Sequence, residues 1–199
     1  MKRIIPCALC LALCACGETR VVDLQNQKDV SSMQNVMELE YRDWTNTAEN
    51  MTKSMLESGA LVNKPVIAIA NIKNDTAQRF DTDILTKKIR STLLKSGKAQ
   101  IATNFSGEDT TSNTVRSQRG NDEYNKATFA QKGTLVAPNM SLSGKMLQRN
   151  LKLQSGIFSS VDTRVEYYLQ LTLTDLKTGL SVWEDEQPIV KEGDHAPTW

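Results

Sequence analysis

A chain of 199 residues has room for one domain of ordinary size with about 40 residues to spare, which excludes a two-domain enzyme of usual proportions. At 39% hydrophobic and 24% charged residues it is too polar for a polytopic membrane protein and too apolar for wholesale disorder. Lys and Arg total 24 against 23 Asp and Glu, so no one-sided field is present to hold nucleic acid, and a single histidine, His195, leaves no material for a His-ligated metal centre or a His-based triad.

All four cysteines fall at positions 7, 10, 14 and 16, in a segment that opens Lys2-Arg3 and continues as an apolar run over 4–15. A positive start followed by a short apolar stretch reads as a secretory signal, because about 20 residues are needed to span a bilayer as a helix. Leu13-Cys14-Ala15-Cys16 resembles a bacterial lipobox, with a branched residue three before the acceptor thiol and a small one immediately before it. Cys14, Cys10 and Cys7 fail that test because Leu13, Leu9 and Pro6 precede them. Residues 1–15 are therefore expected to be cleaved and Cys16 to carry a diacylglycerol and an N-acyl chain, more than the two signals stable anchoring requires. Gly17 stands where the inner-membrane retention rule wants Asp, which favours the periplasmic face of the outer membrane. No other cofactor and no metal is expected.

Residues 16–40 are rich in Gln, Asn, Ser and charge and read as a flexible linker, averaging about 27 Å end to end. Met33, Val36 and Met37 have helical spacing, so the end of this segment is expected to add a turn against the domain. The domain is assigned to 41–199. Trp44, Ala48, Met51 and Met55 fall at intervals of 4, 3 and 4 on one face of a first helix, stopped at Gly59, with Asp43, Thr45 or an Asn46/Glu49 box as cap. The apolar run 66–72 predicts a central strand buried on both faces, followed by a polar loop over 73–81. Ile84, Leu85, Ile89, Leu93 and Leu94 predict a second helix ended by Gly97, with Lys87, Lys88 and Arg90 on its solvated side. The run 99–103 completes a strand–helix–strand unit, which favours a parallel pair.

Residues 104–120 are polar and predict a long loop, 121–132 a short helix, and 134–144 a strand interrupted at Pro138. Val165, Tyr167, Leu169, Leu171 and Leu173 alternate with polar residues, the period of a half-buried strand. Lys177-Thr178-Gly179 turns it into 180–186, with Val182 in alternation and Trp183 facing the other way, and Gln154-Ser155-Gly156 joins it to 145–153 in a second hairpin. The fold class is α/β (α+β): a mixed four- to five-stranded sheet flanked by helices, with a frayed C-terminus.

No GxSxG elbow, Walker loop, GxGxxG, HExxH or CxxC beyond the leader occurs. Glu108-Asp109, Asp122-Glu123 and Glu184-Asp185-Glu186 offer paired carboxylates, but neighbours in polar turns seldom reach the separation acid/base work needs. The expectation is no catalytic residue, no small-molecule substrate and no enzyme.

The motif order resembles the LpoB-type outer-membrane lipoprotein activators of penicillin-binding proteins. The resemblance rests on Tyr41-Arg42-Asp43-Trp44, residues 51–56, the strand at Val66, Ile89-Arg90, Gly97-Lys98, Ser143-Gly144, Leu169-x-Leu-x-Leu, Thr178-Gly179 and Trp183. It implies a fold similar to the TolB N-terminal domain, and a monomer that binds a bifunctional, class A penicillin-binding protein and activates it allosterically. Where enterobacterial relatives read Asn-Asn-Arg-Thr, this chain has Lys73-Asn74-Asp75-Thr76, an acid in place of a base, and Gln78-Arg79-Phe80 follows. Asn74, Asp75, Arg79 and Phe80 are the candidate partner-binding residues, with Phe80 either an anchor or buried against the second helix. The linker lacks the proline of those relatives' long tether, so its reach is shorter. The alternative is an envelope structural or secretion-assembly lipoprotein that works as an oligomeric building block, pairing through hairpin edges.

Overall fold

A computed structural model describes residues 37–105, 110–153 and 162–193 of the chain. Cys16, Met33, Val36, the 154–156 turn and His195 lie outside these. The first helix, α1, is Tyr41–Glu57, and its face of Trp44, Ala48, Met51 and Met55 is buried as the 4-3-4 spacing requires. The N-cap is Glu40 rather than Asp43, Thr45 or Asn46, and Asp43 serves at N3 of a reciprocal capping box in which the Glu40 N–H donates to Asp43 Oδ2 at 2.9 Å. Thr45 and Thr52 also turn inward, their hydroxyls donating to the carbonyls of Tyr41 and Ala48.

Strand β1 is Val66–Ile69, and burial alternates along it, with Ile67 and Ile69 inside. The apolar run 66–72 is thus covered on one face rather than two. Strand β2, Lys73–Asp75, occupies what composition marks as loop. Helix α2, Asp83–Ser96, buries Leu85, Thr86, Ile89 and Leu93 and ends on Gly97 at φ 67°. Leu94, predicted inside, is 51% exposed. On its far side Lys88 is more than solvated: its ammonium meets Glu49 of α1 at 2.9 Å, and Lys53 joins at 3.1 Å, so this carboxyl is held below the usual range, chiefly by Lys88. Strand β3, Gln100–Ile101, pairs with β1 in parallel, as the strand–helix–strand reading requires.

The middle of the chain departs from expectation. Within 104–120 the structure places helix α3, Thr110–Ser117, flanked by single 3-10 turns at Thr103–Phe105 and Gln118–Gly120; none of the α3 side chains is buried. Only one 3-10 turn, Lys126–Thr128, replaces the helix expected over 121–132, because Asn125 caps Ala127 and closes it locally. Residues 134–138 carry no strand; β4 starts after Pro138 and runs as one element, Met140–Leu153. It continues into β5, Asp162–Asp175, and β6, Ser181–Gly193, in antiparallel order. At the β5–β6 turn Asp175 accepts from the backbone of Lys177 and Thr178, contacts that keep its carboxyl acidic.

The sheet has six strands in the order β3-β1-β4-β5-β6, with β2 lying beyond β1 on the same edge of β4. It is mixed, parallel on the β1 side and antiparallel beyond β4. Helices α1 and α2 share one core with Leu142, Met146, Val165, Tyr167, Leu169, Leu171 and Leu173, all on one sheet face. A bulge between Leu173 and Thr174 shifts the β6 register by one residue. Trp183 therefore turns toward the core and Val182 is 42% exposed, the reverse of simple alternation. Among the described residues, no side chain on the opposite sheet face is buried.

Candidate functional site

The connection between β1 and α2 holds the four candidate residues. It is a stapled knuckle rather than an open loop. The Asn74 carboxamide donates to the Gln78 carbonyl at 2.9 Å, and its oxygen accepts from the Thr76 N–H at 3.1 Å and hydroxyl at 2.7 Å. Across the sheet edge, the Ala77 N–H donates to Gln148 of β4. Asn74 is thus spent on internal bonds, the Asx-type geometry that fixes such turns. Phe80 is half-buried, but the ring it meets belongs to the first helix rather than the second: it lies 4.5 Å from that of Trp44 in α1, tilted by 46°. The Trp44 indole N–H finds no acceptor among the described residues. Asp75 and Arg79 are exposed, with Lys73 3.8 Å from the Asp75 carboxylate. The four residues split into two that shape the knuckle and two that show on it.

Gln78, which is not one of the four candidate residues, pairs its side chain with both backbone groups of Leu39: the Leu39 N–H donates to Oε1 at 2.7 Å, and Nε2 donates to the Leu39 carbonyl at 3.0 Å. This clamps the segment 37–40, assigned by composition to the linker, against the domain. Met37 and Leu39 are buried, and the Tyr167 hydroxyl donates to the Met37 carbonyl at 3.1 Å. Burial, then the charges of Glu38 and Asp43, pushes that phenol well above its usual range. Asp43 also meets Lys191 of β6 at 2.6 Å. Replacing Gln78 by leucine should orphan two half-buried backbone groups and cost about 1–3 kcal/mol. Hydrogen exchange checks this: the Leu39 amide should lose protection before the helices do, and unchanged protection there would refute the clamp.

Among the described residues no group of three or more Cys, His, Asp or Glu is placed to hold a metal, and no helix is long and apolar enough to cross a membrane. A family model for the peptidoglycan-synthase activator LpoB matches residues 43–189, most of the chain. This protein belongs to the LpoB family. Similar solved structures include the LpoB C-terminal domain from Escherichia coli, at 13% identity and TM-score 0.45, covering 74% of this chain and 98% of that one. The same domain from Salmonella enterica gives 14% and 0.47, with the same coverage. An NMR structure of E. coli LpoB gives 14% and 0.42 over 96% of this chain and 91% of that one. A comparison with curated proteins gave no match. The match begins inside the motif Tyr41-Arg42-Asp43-Trp44, at Asp43, and the last two residues of that motif have physical roles: Asp43 completes the α1 capping box and holds Lys191, and Trp44 supports Phe80.

Proposed function

We propose that this LpoB-family chain is a lipoprotein activator of a bifunctional, class A penicillin-binding protein, held at the periplasmic face of the outer membrane by acyl chains on Cys16. The observation that carries the reading is the family match, which runs from the capping residue Asp43 to Ile189 in the last strand. The lipobox at Cys16 supports the anchor, and the lack of a recognisable catalytic motif supports action by contact. As a monomer the protein would present Asp75 and Arg79 to the enzyme, with Asn74 and Phe80 holding them in place.

Activation then requires that the protein bind the active state of the synthase more tightly than the resting one. A tenfold preference, about 1.4 kcal/mol, raises a sparsely populated active state tenfold. The test adds the full chain to a purified class A synthase from the same cell and follows glycan-strand polymerisation. A several-fold faster rate that saturates with the chain is expected. Absence of binding together with an unchanged rate would sink the proposal, and large ring-like assemblies of the chain alone would favour an envelope building block.

A further inference from the structure

The long strands β4, β5 and β6 turn one face to the core and leave the other open. The register lays out that open face in rows. Asp75, Leu147, Tyr168 and Pro188 are successive neighbours across β2, β4, β5 and β6. On one side of this row lie Arg149, Glu166 and Val190, then Leu151, Arg164 and Glu192; on the other lie Lys73, Lys145, Gln170 and Glu186, then Ser143, Thr172 and Glu184. Charge is sorted by strand. Lys145 and Arg149 make β4 basic, with Lys73 beside it, whereas Glu184, Glu186 and Glu192 make β6 acidic.

The middle is apolar and ordered. Leu147, Leu151 and Tyr168 are half-buried with no element over them among the described residues, and Pro188 and Val190 are exposed alongside. Glu166, with only 12% of its side chain exposed, is held by the Tyr168 hydroxyl at 2.6 Å and by Arg149 and Arg164, each at 3.9 Å. That hydrogen bond also keeps the phenol protonated. Arg164 in turn pairs with Glu192, and Gln170 with Glu186. Strands of 14 residues make a plate roughly 45 Å long and 15 Å wide, about 700 Å², near the roughly 800 Å² that each partner contributes to a stable interface. The plate runs without a break into the knuckle through Asp75.

We propose that this open face, from the β2 knuckle across to β6, is where the synthase docks, through a protein surface with an acidic ridge set against β4, a basic ridge set against β6 and an apolar strip on Leu147, Tyr168 and Pro188. The inference rests on the activator reading above and adds the place and chemistry of contact. Opposed ridges fix orientation and reject a surface docked in reverse, since that would bring like charges together.

The experiment uses the full chain and two charge-reversed double variants, Lys145→Glu with Arg149→Glu and Glu184→Lys with Glu186→Lys. These side chains are exposed, so the fold should survive, as circular dichroism and urea midpoints would verify. A control reverses Lys87 and Lys95 on α2, behind the opposite sheet face. Wild type and control should bind the synthase equally, with affinity falling as salt rises, and each face variant should bind at least tenfold more weakly. If one variant misfolds, the other decides alone. Face variants that bind like wild type would overturn the docking face and leave the activator reading standing. Wild type that binds no synthase would overturn both. A dimer of the chain that the face variants dissolve would show the face occupied by a second copy, against the proposal.

Discussion

Gly144→Ala should unfold this protein at markedly lower urea, although alanine is the better strand former by about 0.5–1 kcal/mol where space permits. Gly144 sits in β4 opposite Leu171, and a Cβ there would lie 2.5 Å from the Gln170 carbonyl oxygen and 2.6 Å from Leu171 Cδ2. The side-chain atom could swing aside. The carbonyl belongs to the β5 backbone, so relieving it means parting the two longest strands of the sheet. Overpacking of this kind costs about 1–3 kcal/mol, and a backbone obstacle puts Gly144→Ala at the upper end. With a urea slope of about 2 kcal/mol/M for a domain this size, the midpoint should fall by about 1.5 M at unchanged slope. A midpoint within about 0.3 M of wild type would show that β4 and β5 give way more easily than their geometry implies.

The second large effect is expected at Met51. This side chain is fully buried in the middle of the α1 face, among residues from α1, α2 and the sheet. Alanine is at least as good a helix former as methionine, so Met51→Ala changes packing and little else. Removing a buried methionine costs about 2–5 kcal/mol, depending on how far the cavity collapses, out of a total of about 5–15 kcal/mol for a typical domain. The neighbouring Asn50→Ala is the control: Asn50 is exposed, and its replacement should stay within about 0.5 kcal/mol. Equal effects at the two positions would mean that the α1 packing contributes nothing to stability.

How much of this architecture was legible follows from what each segment buries. Helix α1 and strand β5 carry their core residues at the period of their own backbone, and both were readable from spacing. Strand β2 has no such period, because its inward residue Asn74 is satisfied by polar bonds within the turn. Helix α3 buries nothing, so no apolar stripe marks it among its threonines and serines. The far half of β6 was missed for a related reason: Pro188 and the acidic residues suit an edge strand facing solvent, and the inward Lys191 is neutralised by Asp43, 148 positions earlier. The bulge at Val182, the residue left unpaired between Ser181 and Trp183, reversed a parity that alternation alone could not foresee. At the knuckle, the family contrast drew attention to residues 73–76, whereas the Gln78 clamp depends on Leu39, a partner that no local pattern reveals.

Strand β4 has neighbours on both edges, with β1 and β2 end to end along one and all of β5 along the other. Its backbone conformation is therefore fixed before anything lies on it. A molecule settling on that plate would immobilise side chains such as Lys145 and Arg149 without having to order main chain, which spares association one of its entropic costs. Encounter should accordingly be limited by diffusion and charge, and substitutions across the plate should act chiefly by shortening the lifetime of the complex.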